Sequence, residues 1–202
     1  MMKLRYSPAS PYVRKVMIVA LEGGIGEQIE KLATTALPVK LNDALKAENP
    51  LVKLPSLTTD DGQTLYDSPV ICEYLDSLHK AAKMFPAPGP ARWTALRRQA
   101  LGDGILDAAI LTRYETTVRP KELQWDDWVD AQLRKVRGAL DALEGEPLDG
   151  PFDIGTITIA CALGYLDFRF PSEDWRKTRP KLAAWYAEIA RRPSMTATMP
   201  KA

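Results

Sequence analysis

The sequence predicts an α/β N-terminal domain of element order βαβαββα, followed by an all-α helical bundle. Three observations carry that reading. Short strand-like and helix-like segments alternate over residues 1–80, a Pro-rich stretch fills 81–90, and residues 91–202 show helical spacing with no strand signal.

Residues 3–6 read as the first strand. Ser10-Pro11 then opens a helix whose Val13, Val16, Met17, Ala20 and Leu21 recur at i, i+3, i+4, i+7 and i+8, and Gly23-Gly24 ends it. Residues 28–32 form a second strand candidate, and an irregular helix is expected around 39–45. Two short strands, 56–59 and 64–66, flank Asp60-Asp61-Gly62, a hairpin signal. Asp67-Ser68-Pro69 caps a third helix with Ile71, Tyr74, Leu75 and Leu78 on its apolar stripe. The crossover gives a parallel strand pair, the hairpin an antiparallel one.

Pro86, Pro88, Pro90 and Gly89 make the 81–90 connection stiff and mark the domain boundary. Beyond it, residues 92–115 form a long helix with Leu101, Ile105, Ala108 and Thr112 on one face. Asp126 or Asp127 caps another, striped by Val129, Leu133, Val136, Leu140 and Leu143. Residues 153–168 are apolar almost all round, the mark of a helix buried in a bundle. A final helix runs from Pro180 to a stop at Pro193. The five tryptophans read as core, and Cys72 and Cys161 as inert residues of apolar helix faces.

Composition narrows the function. With 27 basic and 26 acidic side chains, the net charge of +1 gives no electrostatic drive towards nucleic acid or an anionic membrane. The longest uncharged stretch, 154–166, falls short of the roughly 20 residues that span a bilayer. No targeting segment is recognisable, so a cytoplasmic location is expected. Two cysteines and one histidine leave no disulfide framework, no metal site and no Ser–His–Asp triad; His79 sits where it complements a helix dipole.

Three places could direct polar groups at one spot. Ser7-Pro8-Ala9-Ser10-Pro11 joins a strand to a helix, the usual ligand crevice of an α/β sheet, with helix N–H groups favourable to an anion. The alternative is an N-cap at Ser10 and a turn at Ser7. Lys53-Leu54-Pro55 enters the third strand; were Leu54–Pro55 cis, the N–H and C=O of Leu54 would be free to pair with an extended ligand. An edge proline is the plainer account. Asp67 and Ser68 at a helix start suit an amino group and a carboxylate respectively, or plain capping.

Taken in order, the stretches Ser7-Pro-Ala-Ser-Pro-Tyr-Val-Arg-Lys-Val16, Asn49-Pro-Leu-Val-Lys-Leu-Pro55 and Asp67-Ser-Pro-Val-Ile-Cys-Glu-Tyr-Leu75 resemble those of the cytosolic glutathione transferase family. They look like its serine-type, pre-cis-proline and γ-glutamyl motifs. The helical half, with Phe152-Asp-Ile-Gly-Thr-Ile-Thr-Ile-Ala160, is similar to its buried capped helix. The resemblance is strongest to bacterial serine-type members. It implies a thioredoxin-like first domain and a cytoplasmic, detoxifying homodimer that takes glutathione as co-substrate, needs no metal, and transfers it to a small electrophile.

By that resemblance Ser7 is the catalytic residue facing the glutathione sulfur, with Ser10 an auxiliary contact or the true sulfur partner. Lys53, Leu54, Pro55, Asp67 and Ser68 would bind the rest of the tripeptide. Ile110, Arg113 and Tyr114 would line the second-substrate site between the domains, and Arg113 and Arg119 would tolerate an acidic substrate. One departure concerns the capped helix, where the family's Ser or Thr followed by Asp is exchanged for Asp153 and Thr156. Asp153 still accepts from the first-turn amides, while Thr156 would return a weaker bond. Other readings stay open: a glutathione-dependent isomerase, a thiol–disulfide enzyme, which normally wants cysteine where Ser7 stands, or a non-catalytic binding protein of the same fold.

Overall fold

The computed structural model describes residues 1–201, which divide into two compact units: 1–92 with 193–201, and 93–192. The break falls three residues inside the first long helix, not in the Pro-rich stretch. Residues 193–201, assigned from chain order to the helical domain, fall in the first unit.

The first unit is built on a four-stranded sheet of order β2-β1-β3-β4. Strand β1 (Met2–Tyr6) runs parallel to β2 (Ile29–Ala33), with Met2 opposite Ile29 and Tyr6 opposite Ala33. It runs antiparallel to β3 (Ser56–Thr58), which pairs in the same sense with β4 (Thr64–Leu65). Met2 and Leu4 alternate inward from β1, each worth about 2 kcal/mol of burial. Helix α1 (Pro11–Glu22), with Val13, Val16, Met17 and Ala20 buried, packs against α3 (Ser68–Ser77). This thioredoxin-like βαβαββα order is the one expected.

Helix α2 (Asp43–Glu48) departs from expectation. The Asn42 side chain accepts from Leu45 N–H at 3.0 Å and starts the helix there, leaving Val39 outside it and 80% exposed. A bidentate Arg5–Glu48 pair ties α2 to β1. Leu78 lies past the end of α3 and is exposed.

The helical unit comprises α4 (Pro90–Thr117, whose first three residues belong to the first unit), α5 (Asp126–Glu144), α6 (Ile154–Arg169) and α7 (Pro180–Ile189). Residues 154–166 of α6 are buried on every side. Two glycines let α4 and α6 approach. A Cβ on Gly155 would lie 2.5 Å from the Ala95 carbonyl oxygen, and one on Gly102 would lie 3.0 Å from Ile159 N. Arg98 Nε donates to Glu146 Oε1 at 2.8 Å and pins α4 to the loop ahead of α6.

Trp125, not an aspartate, is the N-cap of α5. Among the tryptophans only Trp175 is buried; Trp93, Trp125 and Trp128 are exposed, against the core role expected of all five. Pro193 opens a short helix, α8 (Pro193–Ala197), which packs on α1 of the first unit. Among the described residues no helix is long and apolar enough to cross a membrane.

Candidate functional site

The end of β1 and the start of α1 bring the two serines together. A turn through Pro8-Ala9 is closed by Ser10 N–H donating to the Ser7 carbonyl at 3.1 Å. Pro11 occupies the first turn of α1, and Ser10 Oγ accepts from Val13 N–H at 3.3 Å as the N-cap. The Ser7 hydroxyl, by contrast, bonds to no other described residue. Both serines line one pocket of about 90 Å³ with Tyr6, Arg14, Lys31 and Thr198.

Arg14 and Lys31 were not singled out from the sequence. Arg14 is 6% exposed; its Nη2 donates to the Met195 carbonyl at 3.1 Å, and its Nη1 is buried without a partner among the described residues. A buried guanidinium with no carboxylate beside it favours an anion in the pocket it lines. One wall of the pocket is Ala197 at the end of α8 and Thr198 just beyond it. The available signals were the i, i+4 spacing of Ser10 and Arg14 on α1, and the suitability of Pro193 as a helix start.

Sheet register gathers the other motifs at the same end of the sheet. Arg5 is opposite Ser56, so Ser7 and Leu54 each lie two residues beyond that pair. Leu57 is opposite Leu65, so Pro55 and Asp67 each lie two residues beyond theirs. The Leu54–Pro55 bond is cis, and the N–H and C=O of Leu54 bond to no described residue. Asn49, almost fully buried, shapes the approach by donating to the Lys53 carbonyl and accepting from Leu51 N–H, both at 3.0 Å. Val52 there holds φ at 53°, a strained value for a β-branched residue. The Lys53 side chain is exposed.

Asp67 is the N-cap of α3, yet its side chain makes no capping bond, so plain capping does not account for it. Its carboxylate is exposed, while Ser68 beside it is buried.

In the helical unit, Ile110, Arg113 and Tyr114 on α4 are each partly exposed. Burial pushes the Tyr114 phenol above its ordinary pKa, although the Arg113 charge opposes this. Arg119 is paired with Glu115 at 2.8 Å. A pocket of about 450 Å³ between α5 and the segment after α6 holds none of the residues read as functional, and two of its arginines are paired, Arg137 with Glu173 at 2.9 Å and Arg179 with Asp141 at 2.6 Å.

At the start of α6, Asp153 accepts from Thr156 N–H at 3.0 Å as expected. The return bond to Asp153 N–H is not made. The Thr156 hydroxyl reaches the Asp153 carbonyl and Oδ1 instead, and Asp153 N–H turns to the Pro151 carbonyl at 2.9 Å.

Comparison with known proteins agrees with this geometry. Residues 9–78 match the glutathione S-transferase N-terminal domain, and residues 126–188 the C-terminal domain of the same family. An uncharacterized GST-like protein of Escherichia coli K12, YibF, is 36% identical over 98% of both chains. A glutathione transferase family member from Pseudomonas fluorescens Pf-5, solved with bound glutathione, is 49% identical over the whole of both chains, with a TM-score of 0.98. A second structure from that organism, with bound S-(propanoic acid)-glutathione, is 48% identical over the same coverage, with a TM-score of 0.93. The chain therefore belongs to the glutathione S-transferase family.

Proposed function

We propose that this chain is a serine-type glutathione transferase in which the Ser7 hydroxyl stabilises the glutathione thiolate for attack on a small electrophile. The observation that carries this reading is the pocket shared by Ser7 and Ser10, where Ser10 caps α1 and Ser7 is unengaged. Leu54, with its unpaired backbone groups, pairs with the cysteinyl residue as an added strand would. Pro55 holds that segment at the entry to β3. Lys53 takes the glycyl carboxylate, Asp67 the α-amino group, and Ser68 the γ-glutamyl carboxylate. Glutathione bound by the Pseudomonas fluorescens relative supports the ligand assignment.

A free thiol has a pKa of about 8.5, and bringing it to about 6.5 takes roughly 2.7 kcal/mol. A hydrogen bond to a charged sulfur supplies about 1.5–3 kcal/mol, and the α1 N-terminus about 0.3–1. The Arg14 charge on the same pocket acts in the same sense. No general base is needed. The thiolate forms a C–S bond as the electrophile's leaving group departs with its electron pair, and the thiol proton goes to solvent.

The helical unit takes the second substrate through Ile110, Arg113 and Tyr114. A thiol–disulfide reaction is disfavoured because Cys72 and Cys161 are both fully buried and neither lines the pocket. Two copies of the chain form a homodimer, which sedimentation equilibrium tests directly.

The decisive experiment titrates the thiolate absorbance of bound glutathione. Ser7→Ala raises that pKa by about one to two and lowers turnover with an aryl halide. If Ser7→Ala changes neither while Ser10→Ala abolishes both, Ser10 is the sulfur partner. A wild-type protein that binds glutathione without turnover is a non-catalytic member of the fold.

A further inference from the structure

We propose that the Ser7 pocket seats a carboxylate carried by the electrophile, and that this protein joins glutathione to short-chain acids. This rests on the reading of Ser7 as the partner of the glutathione sulfur, and it names the second substrate's class.

The seat is built by the first unit alone. Its lining brings together the β1–α1 turn, the inner face of α1, Lys31 of β2 and residues 197–198. Arg14 and Lys31 supply two cations, and no carboxylate lines the pocket.

The C-terminal segment fixes the Arg14 guanidinium. Nε donates to Thr198 Oγ1 at 3.4 Å and Nη2 to the Met195 carbonyl at 3.1 Å. That segment is itself anchored, by Ser194 Oγ donating to Glu22 and by Lys201 N–H donating to the Pro8 carbonyl at 3.3 Å. Both acceptors that Arg14 finds are neutral, and its buried Nη1 has none. The charge is therefore held in place, desolvated and unmatched. The first unit's other arginines are each paired with a glutamate, Arg5 with Glu48 and Arg92 with Glu73. Lys31 is exposed and has no ion pair among the described residues; its Nζ lies 5.5 Å from the ring centroid of Tyr6, another lining residue. The N-terminus of α1 at Ser10 adds a partial positive charge.

The rest of the lining decides which anion fits. Val13, Met17, Leu21 and Ala197 are apolar, and the volume of about 90 Å³ is about three times the roughly 30 Å³ share of a water molecule. That is room for a carboxylate on a short aliphatic chain. An inorganic oxyanion would match the cations but not the apolar wall. A carboxylate seated there supplies the counter-charge that Arg14 lacks and accepts a charge-assisted bond from Lys31. The two cations also offset the repulsion between a thiolate and an anionic electrophile. With a 3-halopropanoate, the C–S bond forms as the carbon–halogen bond breaks. Halide leaves with the bonding pair, the thiol proton goes to solvent, and the carboxylate is unchanged.

Calorimetric titration of the full chain with glutathione, S-(2-carboxyethyl)glutathione and its neutral isostere S-(2-carbamoylethyl)glutathione tests this. The acid is expected to bind about tenfold tighter than the amide. Lys31→Gln, a change at an exposed side chain, lowers that preference to about threefold; Arg14→Gln lowers it to about twofold or less, and Arg14→Lys restores part of it. An undiminished preference in Lys31→Gln overturns the seat, and that variant decides alone if Arg14→Gln does not fold. Equal binding of acid and amide by the wild type, with glutathione still bound, overturns the seat and leaves the glutathione reading standing. Failure of all three ligands to bind overturns both.

Discussion

Replacing Asp153 tests how far the buried helix α6 depends on a single side chain. Asp153 Oδ1 accepts from Thr156 N–H at 3.0 Å and from the Thr156 hydroxyl at 3.2 Å, with Asp153 7% and Thr156 2% exposed. In Asp153→Ala the hydroxyl keeps its bond to the Asp153 carbonyl at 3.0 Å, so the lost partner that matters is the amide's. Water reaches a site this closed poorly, which puts the penalty towards the upper part of the range for a lost cap, about 1.5 kcal/mol. For a chain of this length 1 kcal/mol moves Tm by about 2–4 °C, so Asp153→Ala should lower the helical unit's transition by about 3–6 °C. Asp153→Ser keeps an acceptor and should cost less than about 0.5 kcal/mol. Differential scanning calorimetry, paired with the fluorescence of buried Trp175, reads the difference. If alanine stays within about 1 °C of wild type, or serine costs as much as alanine, the cap does not hold α6.

Glycines within the helices separate in the opposite sense. Gly155→Ala drives a methyl against the Ala95 carbonyl and should destabilise by about 1–3 kcal/mol, whereas Gly138→Ala, with nothing within 4 Å, should stabilise α5 by about 0.5–1; urea titration of both variants decides it. Glu146 predicts an acid response. Burial pushes its carboxyl up, but hydrogen bonds from Arg97 and Arg98 outweigh that and hold it below the ordinary value. The pair's stabilisation is therefore complete above the unfolded carboxyl's pKa and fades as pH falls through the lower folded value. Glu146→Gln should flatten the decline of stability in that acid window, and an unchanged slope would refute the assignment.

Much of the fold was legible because the relevant signals are local. Pro11 and Gly23 bracket α1, and of its spaced apolar residues Val13, Val16, Met17 and Ala20 are buried and Leu21 partly so, while Arg14, Lys15, Ile18 and Val19, outside that spacing, are buried as well. The hairpin at Asp60-Asp61-Gly62 appears with Gly62 at positive φ, as its turn requires. Other features do not follow from apolar spacing. Val39 looked helical by hydrophobicity, but a helix starts where its first amides find an acceptor, and Asn42 provides it. Pro193 fits a helix start as well as a stop, and only the α1 surface decides between them. Tryptophans are buried on average but not individually, so Trp93 and Trp125 could be placed only by their neighbours.

The candidate site divides along the same line. The serines, Leu54-Pro55 and Asp67-Ser68 stood out because each breaks or starts an element. Arg14 did not, because a helical arginine is unremarkable until its missing carboxylate is seen.

The hydrogen bond from Arg14 to Met195 spans 181 positions of chain. The first unit is thus discontinuous, with the whole helical unit inserted between its body and the strap that closes one wall of its pocket. During synthesis the sheet with α1 and α3 can assemble early, but the pocket gains that wall only after the helical unit has been translated. A fragment severed after Arg92 would keep both serines and lose the segment that orients the guanidinium beside them.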